Sequence, residues 1–236
     1  MNRDQQEGQR HLVDRLFSIL DAFTPSEPRL TVSDISKRTL IPVATAYRLA
    51  TQLANEGALD RGDDGRYGIG IRLLEIARLE QHTLRLRAVA LPSMLRLQEE
   101  TDSAVLLSVL SGKDVVVIEQ VAANLPAAMP SRQGAATTAA GRLLLAHRPG
   151  CAAVNRLPSG RGDIAQSGLA FGGTRAGDEP FSVAAPVLDS ATVVAALSIV
   201  GLAPGRAPNA VADAVKRGAA GISDVLGEHG RVRVAG

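Results

Sequence analysis

At 236 residues with 45% apolar side chains, the chain is long enough for two domains with buried cores, and its formal net charge of +2 does not by itself indicate a nucleic-acid partner. The single cysteine, Cys151, excludes an intramolecular disulfide and a thiolate metal cluster, which fits a reducing compartment. The polar first residues contain no signal segment, and no apolar run reaches the roughly 20 residues of a membrane helix, so we expect a cytoplasmic protein without a membrane partner.

The chain is predicted to open with a disordered lead over residues 1–10, followed by two helices. Apolar side chains then recur at helical spacing until Thr24-Pro25 ends the segment. The recurring residues are Leu12, Val13, Leu16, Phe17 and Leu20. Thr31, followed three residues later by Asp34, is typical of a capping box. A short second helix is therefore predicted from about Val32 to Arg38.

The stretch from Ile41 to Gly57 predicts a third helix with two unlike faces. Its apolar residues have the i, i+3, i+4, i+7 spacing of a single buried stripe. They are Ala46, Leu49, Ala50 and Leu53. The other face is polar, and no carboxylate occurs between Asp34 and Glu56, so a phosphate backbone would meet no local repulsion there. Two short helices joined by a tight turn predict a helix-turn-helix; the alternative is an ordinary amphipathic surface helix.

A β-hairpin is predicted directly after this helix, where two short extended runs flank the turn residues 62–65. A hairpin in this position is a wing, and Arg61 and Arg66 are expected near its tip, within reach of phosphate or the minor groove. The alternative for both arginines is simple solubility of the hairpin. A charge-mixed helical segment over residues 71–87 is expected to be a linker helix.

The second half, residues 88–236, predicts a mixed domain. Residues 89–100 form an amphipathic pattern, and the β-rich runs 104–110 and 115–121 are separated by a hairpin signal. A helix rich in alanine and leucine is expected within residues 134–148, and two further strands at 181–188 and 192–200 precede a closing helix at 210–226. The Gly- and Arg-rich stretch 150–179 has little pattern, so no elements are assigned there.

Several segments resemble, in order, the IclR-type transcriptional regulators. In the first half these are residues 13–20, 35–42, 45–49 and 66–70; in the second half they are 139–146 and 184–189. The resemblance implies an α+β protein: a winged helix-turn-helix over residues 11–70, the linker helix, and a GAF-like α/β domain that senses a small molecule. It also implies a homodimer or homotetramer bound to a duplex operator.

Carried over to this sequence, the resemblance places Arg15, Thr45, Tyr47 and Arg48 at positions where the family meets DNA. An arginine can bind guanine through two hydrogen bonds or hold a phosphate, while Thr and Tyr hydroxyls mostly fix register on the backbone. With the local cations, the expected DNA-binding residues are Arg15, Lys37, Arg38, Thr45, Tyr47, Arg48, Arg61 and Arg66. For Arg15 the alternative is an intradomain ion pair, and Thr45 alternatively serves the opening turn of its helix.

The effector domain departs from the family pattern. Ala136 stands where a histidine is often found, Arg142 replaces the usual lysine, and residues 172–175 are Gly-Gly-Thr-Arg where acidic residues are common. The effector is therefore expected to be a small and rather apolar organic molecule, bound near Thr138, Ser182 and Ser198. The alternatives are that both serines are ordinary strand residues and that the pocket no longer responds to a ligand.

We expect no catalysis, no metal and no cofactor. The sequence contains no Gly-x-Ser-x-Gly elbow, no phosphate loop and no dinucleotide fingerprint, and its four histidines lack metal-ligand spacing. The competing hypothesis is a metabolite-binding module or enzyme whose winged helix serves protein contacts only. Duplex binding that weakens steeply with salt distinguishes the regulator from this alternative.

Overall fold

The structure, a computed structural model, describes residues 3–122, 131–150, 164, 166–172, 181–201 and 207–232, with side chains from residue 12 to residue 228 of these ranges. Cys151 and residues 173–175 lie outside them. The chain divides into two compact units, Met1–Gln81 and His82–Gly236. In the described part of the chain, no helix combines the length and apolar character needed to cross a bilayer.

The amino-terminal unit is a winged helix-turn-helix, as predicted. Its elements are α1 Arg3–Asp21, β1 Arg29–Leu30, α2 Val32–Thr39, α3 Val43–Asn55, β2 Leu59–Arg61, β3 Tyr67–Ile69 and α4 Ile71–Ala77. The strands form an antiparallel sheet in the order β1-β3-β2, and β1 was not predicted.

The start of α2 is fixed by the predicted capping box. The Thr31 hydroxyl accepts a hydrogen bond from the Asp34 amide at 3.2 Å, and the Asp34 carboxylate accepts one from the Thr31 amide at 3.1 Å. The hydrogen bond from the Thr31 side chain is the main cause that lowers the pKa of Asp34 from its usual 3.8. The ionised Asp34 carboxylate therefore stabilises the fold at pH values above 3.8. This contribution is lost as the pH falls through the lowered pKa of Asp34.

Leu40 ends α2 in a left-handed conformation with φ 58°, and its side chain is 90% exposed. Leu40 is the first of the three residues, Leu40 to Pro42, that connect α2 to α3. The predicted stripe of α3 faces the core that α2 and α3 share: Ala46, Leu49 and Ala50 are buried, and Leu53 packs against them. Tyr67 of β3 is fully buried in the same core, which joins the wing to the helices.

Two expectations about the helices differ from the structure. The helical backbone of α1 begins at Arg3, where a disordered lead was expected, because residues 3–9 continue the helix with Arg, Gln and Glu, which favour it. In α1, Ile19 is buried, while Leu12, Val13 and Phe17 are exposed, so only its later turns reach the core.

The expected linker helix is not continuous. It ends as α4 at Ala77, where the Leu79 and Glu80 amides bond to carbonyls only three residues back, at 3.0 and 3.1 Å. This tighter turn interrupts the α-helical ladder. The next helix, α5, runs over Gln81–Thr101. It therefore contains both the last part of the expected linker, residues 71–87, and the helix predicted over residues 89–100.

The carboxy-terminal unit is built on a six-stranded antiparallel sheet. The elements that follow α5 are β4 Ala104–Ser111, β5 Asp114–Val121, β6 Arg132–Gly134, a 3-10 turn Ala135–Thr137, α6 Ala139–His147, β7 Ala170–Gly172, β8 Ser182–Asp189, β9 Thr192–Val200 and α7 Pro208–Val232. The strand order is β6-β5-β4-β9-β8-β7, which confirms the α+β class, and β6 and β7 were not predicted.

The two faces of this sheet bury different partners. Alternate residues such as Leu107, Val183 and Leu197 pack with α5 and α7, whereas Ala184 and Ala196 pack with α6. Because strand side chains alternate between faces, residues paired with Ala184 and Ala196 in neighbouring strands also face α6. This face, called the α6 face below, is where the predicted effector-site serines lie.

Candidate functional site

The exposed face of α3 presents a cation, Arg48, that is not paired with any acidic side chain in the described part of the chain. Arg48 is exposed, no other described side chain forms an ion pair with it, and α3 contains no Asp or Glu. Thr45, Arg48 and Gln52 follow each other at helical spacing on one side of the helix. Thr45 is half-buried and supplies no cap hydrogen bond, so the helix start does not depend on it.

Arg15 on α1 and Lys37 in the last turn of α2 are also exposed. Among the described side chains, neither forms an ion pair, so the intradomain pair considered for Arg15 is not found there. Both side chains are therefore available to an external anion.

Arg38 behaves differently from these cations. Its Nη1 donates a hydrogen bond to the Ala22 carbonyl at 2.8 Å, and its Nη2 pairs with the Glu27 carboxylate. The guanidinium thus fastens α2 to the segment that follows α1. Because two of its donors are already used within the unit, Arg38 has fewer donors left for a phosphate than Arg15 has.

The two wing arginines have different surroundings. Arg66 is exposed beside the turn, with its Nε 3.6 Å from the Asp64 carboxylate. The Arg61 guanidinium lies over two aromatic rings, 6.0 Å from the centroid of Tyr47 and 5.6 Å from that of Tyr67. Tyr47, 47% exposed on α3, therefore contacts the wing as well as solvent.

The three predicted effector-site residues lie in one region of the carboxy-terminal unit. Thr138 caps α6, its hydroxyl accepting a hydrogen bond from the Gly141 amide at 3.0 Å. Ser198 pairs with Ala184 and so belongs to the α6 face, where it is only 3% exposed. Ser182, half-buried, pairs with Gly172 at the start of the same face.

Arg142 completes this group, although the sequence analysis did not include it among the site residues. It donates through Nη2 to the Phe171 carbonyl, while its Nε is buried and has no hydrogen-bond partner among the residues that the structure describes. A Cβ added at Gly172 would meet the Ser182 hydroxyl, Arg142 Nη2 at 3.2 Å and the Ala139 amide nitrogen at 3.3 Å. These polar groups of α6 and β8 thus converge on one glycine.

The sequence held weak signals for two residues that were missed. Ser108 is a polar residue inside an apolar strand, and it pairs with Ala196, so it too lies buried on the α6 face. Arg142 is the one charged residue of the apolar α6 sequence before His147. Neither signal connects the residue with Thr138, Ser182 or Ser198 until the strand pairing is known.

Two family models match the chain. The IclR helix-turn-helix domain matches residues 12–63, and the bacterial transcriptional regulator IclR C-terminal domain matches residues 79–159. The chain is 29% identical over 115 residues to the HTH-type transcriptional regulator KipR of Bacillus subtilis (strain 168), covering 49% of this chain and 46% of KipR. It is 30% identical over 139 residues to XynR of Escherichia coli (strain K12), covering 57% and 55%. The chain thus matches about half the length of these curated relatives.

Solved structures match over nearly the whole fold. An IclR homolog from Microbacterium hydrocarbonoxydans, complexed with 4-hydroxybenzoate, is 28% identical, with 91% of this chain and 98% of that chain covered and a TM-score of 0.71. The IclR of Thermotoga maritima shares the fold at 22% identity, with 94% and 99% covered and a TM-score of 0.64. With both family models matched in chain order and the α+β architecture shared, this chain belongs to the IclR family of bacterial transcriptional regulators.

Proposed function

We propose that this chain is a sequence-specific regulator that inserts α3 into the major groove of a duplex operator. The observation that carries the proposal is the exposed Arg48 on a helix without carboxylates. A helix of this kind fits the major groove, where an arginine can bind guanine through two hydrogen bonds. Thr45 and Gln52, on the same side of α3, are the neighbours that we assign to further base or backbone contacts.

Arg15, Lys37 and Arg66 are assigned to phosphate contacts, because each is exposed and lies outside α3. Phosphate contacts set register and supply the salt-dependent part of affinity, but they carry no sequence information. Arg48 is therefore expected to determine sequence preference, and the other cations to determine overall affinity.

We propose that two or four copies of the chain act together on the operator. Apolar side chains exposed on α1, on α4 and two residues after α4 support this, because exposed apolar surface commonly marks a protein interface. They are Leu12, Val13, Phe17, Ile71, Leu74, Ile76 and Leu79. A dimer would bind half-sites about one helical turn apart on a palindromic duplex.

We further propose that the carboxy-terminal unit binds a small organic acid with an otherwise apolar body. Arg142 Nε, buried without a hydrogen-bond partner among the described residues, suits one carboxylate, and the alanine- and leucine-rich cluster that α6 forms with the sheet makes the surroundings of Arg142 apolar. The related IclR homolog complexed with 4-hydroxybenzoate supports this class of ligand. The prediction of a rather apolar effector thus applies to the body of the ligand. To this prediction we add one carboxylate on the ligand.

The test of DNA binding is a salt titration with a duplex that the full-length chain selects from a random-sequence pool. The expected result is a linear fall of log affinity with log salt concentration, with a slope of about −0.9 for each phosphate neutralised. Absent or salt-independent duplex binding would favour the competing module whose winged helix contacts only protein.

The test of the effector site uses 4-hydroxybenzoate and its neutral amide as probes on the full-length chain. The acid is expected to bind, the amide to bind at least tenfold more weakly, and Arg142→Gln to remove that difference, since the carboxylate then loses its charged partner. Arg148→Gln, at the exposed far end of α6, is the matched control and should change neither affinity. Equal binding of acid and amide by the unmodified chain would contradict the assignment.

A further inference from the structure

The wing touches the α3 helix through a cation between two aromatic rings. Arg61 ends β2 and pairs across the hairpin with Tyr67 of β3, whose ring centroid is 5.6 Å from the guanidinium carbon. The same guanidinium carbon also lies 6.0 Å from the ring centroid of Tyr47 on α3. Both distances fall within the range of cation–π attraction. The charge of Arg61 therefore links a wing strand to the helix.

A second contact joins the wing to α3 one turn further along. The Tyr67 hydroxyl lies 3.3 Å from the Thr51 hydroxyl, and Thr51 follows Tyr47 by four residues on the helix. Residues four apart lie on one face of an α-helix. The wing thus makes one polar and one aromatic contact with the same face of α3.

The hairpin has little of its own to fix its direction. Strands β2 and β3 contain three residues each, and a hairpin this short is marginal without packing. The ion pair of Arg29 with Asp60, at 3.0 Å, ties it to β1, which belongs to the same small sheet. The buried Leu59 of β2 and the Ala58 amide, which donates to the Leu53 carbonyl at 2.8 Å, hold the base of the wing on α3. Arg61 and Tyr67, the pair nearest the turn, therefore fix the outer part of the wing relative to α3.

We infer that Arg61 is a positioning residue, which holds the wing against α3, and that Tyr47 is the platform on which it rests. The inference rests on the proposed DNA binding, and it reassigns both residues from direct contacts. Arg61 keeps Arg66, at the start of the returning strand, and Arg48, on α3, in a fixed relation, so both can engage one duplex. Holding two contacting groups in place before binding raises affinity because less freedom is lost on association.

The alternative is that Arg61 neutralises a phosphate, and salt dependence separates the two roles. With the selected duplex as probe, Arg61→Gln in the full-length chain is expected to lower affinity about three- to tenfold without changing the salt slope. Arg66→Gln is the matched control, for which the slope should fall in magnitude by about 1. A fall of the slope by about 1 in Arg61→Gln would overturn the inference.

A double-mutant cycle tests the platform. Tyr47→Leu removes the ring, and its effect should not add to that of Arg61→Gln, because each change breaks the same contact. Tyr47→Phe keeps the ring and loses only the hydroxyl, so it should leave the coupling to Arg61 intact. Fully additive effects of Tyr47→Leu and Arg61→Gln would contradict the inference.

A measurement without DNA separates this inference from the proposed function. The Gly62 amide donates to the Arg66 carbonyl at 2.8 Å within the wing, and the Ile35 amide donates to the Thr31 carbonyl at 3.0 Å in α2. Hydrogen exchange at Gly62 is expected to become several-fold faster in Arg61→Gln, with exchange at Ile35 unchanged. If the unmodified chain bound no duplex, the proposed function would fail while exchange still tested the wing contact. Unchanged exchange at Gly62 would overturn the inference even if DNA binding holds.

Discussion

Arg48→Ala is expected to lower the affinity of the chain for its selected duplex by about 5- to 150-fold while leaving weak binding to unrelated duplexes nearly intact. The physical reason is that a bidentate hydrogen bond to one base discriminates between sequences, whereas phosphate contacts do not. Arg48 is exposed, so its removal takes nothing from the core of the amino-terminal unit. The measurement is the ratio of affinities for the selected and a scrambled duplex at one salt concentration.

Two matched variants make this result interpretable. Arg48→Lys keeps the positive charge but loses the planar fork, so it should retain nonspecific affinity and still lose most of the sequence preference. Lys37→Ala removes a cation assigned to phosphate and should weaken binding to both duplexes by similar factors. If Arg48→Ala left the ratio of affinities unchanged, α3 would not be the element that distinguishes sequences.

Gly141→Ala is expected to destabilise the carboxy-terminal unit by about 3 kcal/mol, although alanine favours a helix more than glycine does. A Cβ at residue 141 would lie 2.5 Å from the Cα of Ala135 and 2.6 Å from its carbonyl carbon. These are backbone atoms, so no side chain can rotate away, and α6 would have to move off the 3-10 turn. The polar groups at the start of α6 would move with it.

Gly227→Ala in α7 is the matched control, because an added Cβ there meets no atom within 4 Å. It should stabilise the chain by about 0.5–1 kcal/mol through helix propensity alone, so the same substitution is expected to have opposite signs at two helical positions.

Both tyrosines lie in the amino-terminal unit, so tyrosine fluorescence follows that unit, while circular dichroism follows the whole chain. Gly141→Ala should shift the denaturation midpoint seen by circular dichroism and leave the fluorescence midpoint in place. If Gly141→Ala were as stable as the unmodified chain, α6 would be able to move away from the backbone of Ala135 at little cost in the free energy of unfolding.

Local sequence was sufficient where the interaction lies within a few residues. The capping box of Thr31 and Asp34 spans four positions, and the stripe of Ala46, Leu49 and Ala50 spans little more than one helical turn. Patterns within one helix or one long strand are local, so they gave the helices of the winged helix-turn-helix and the long strands β4, β5, β8 and β9. They did not give the short strands β1, β6 and β7, because two or three residues carry no periodicity and pair only with distant partners.

The amino-acid order alone determined that a carboxylate-free helix with Arg48 on its polar face follows a turn, because helical spacing fixes which residues share a face. Only the tertiary structure decided which cations stay available. Arg38 and Arg48 look alike in sequence, but the Ala22 carbonyl that engages Arg38 lies 16 residues away. In the same way, Arg142, Gly172 and Ser182 meet only through strand pairing and helix packing across long stretches of chain, and no local pattern encodes those distances.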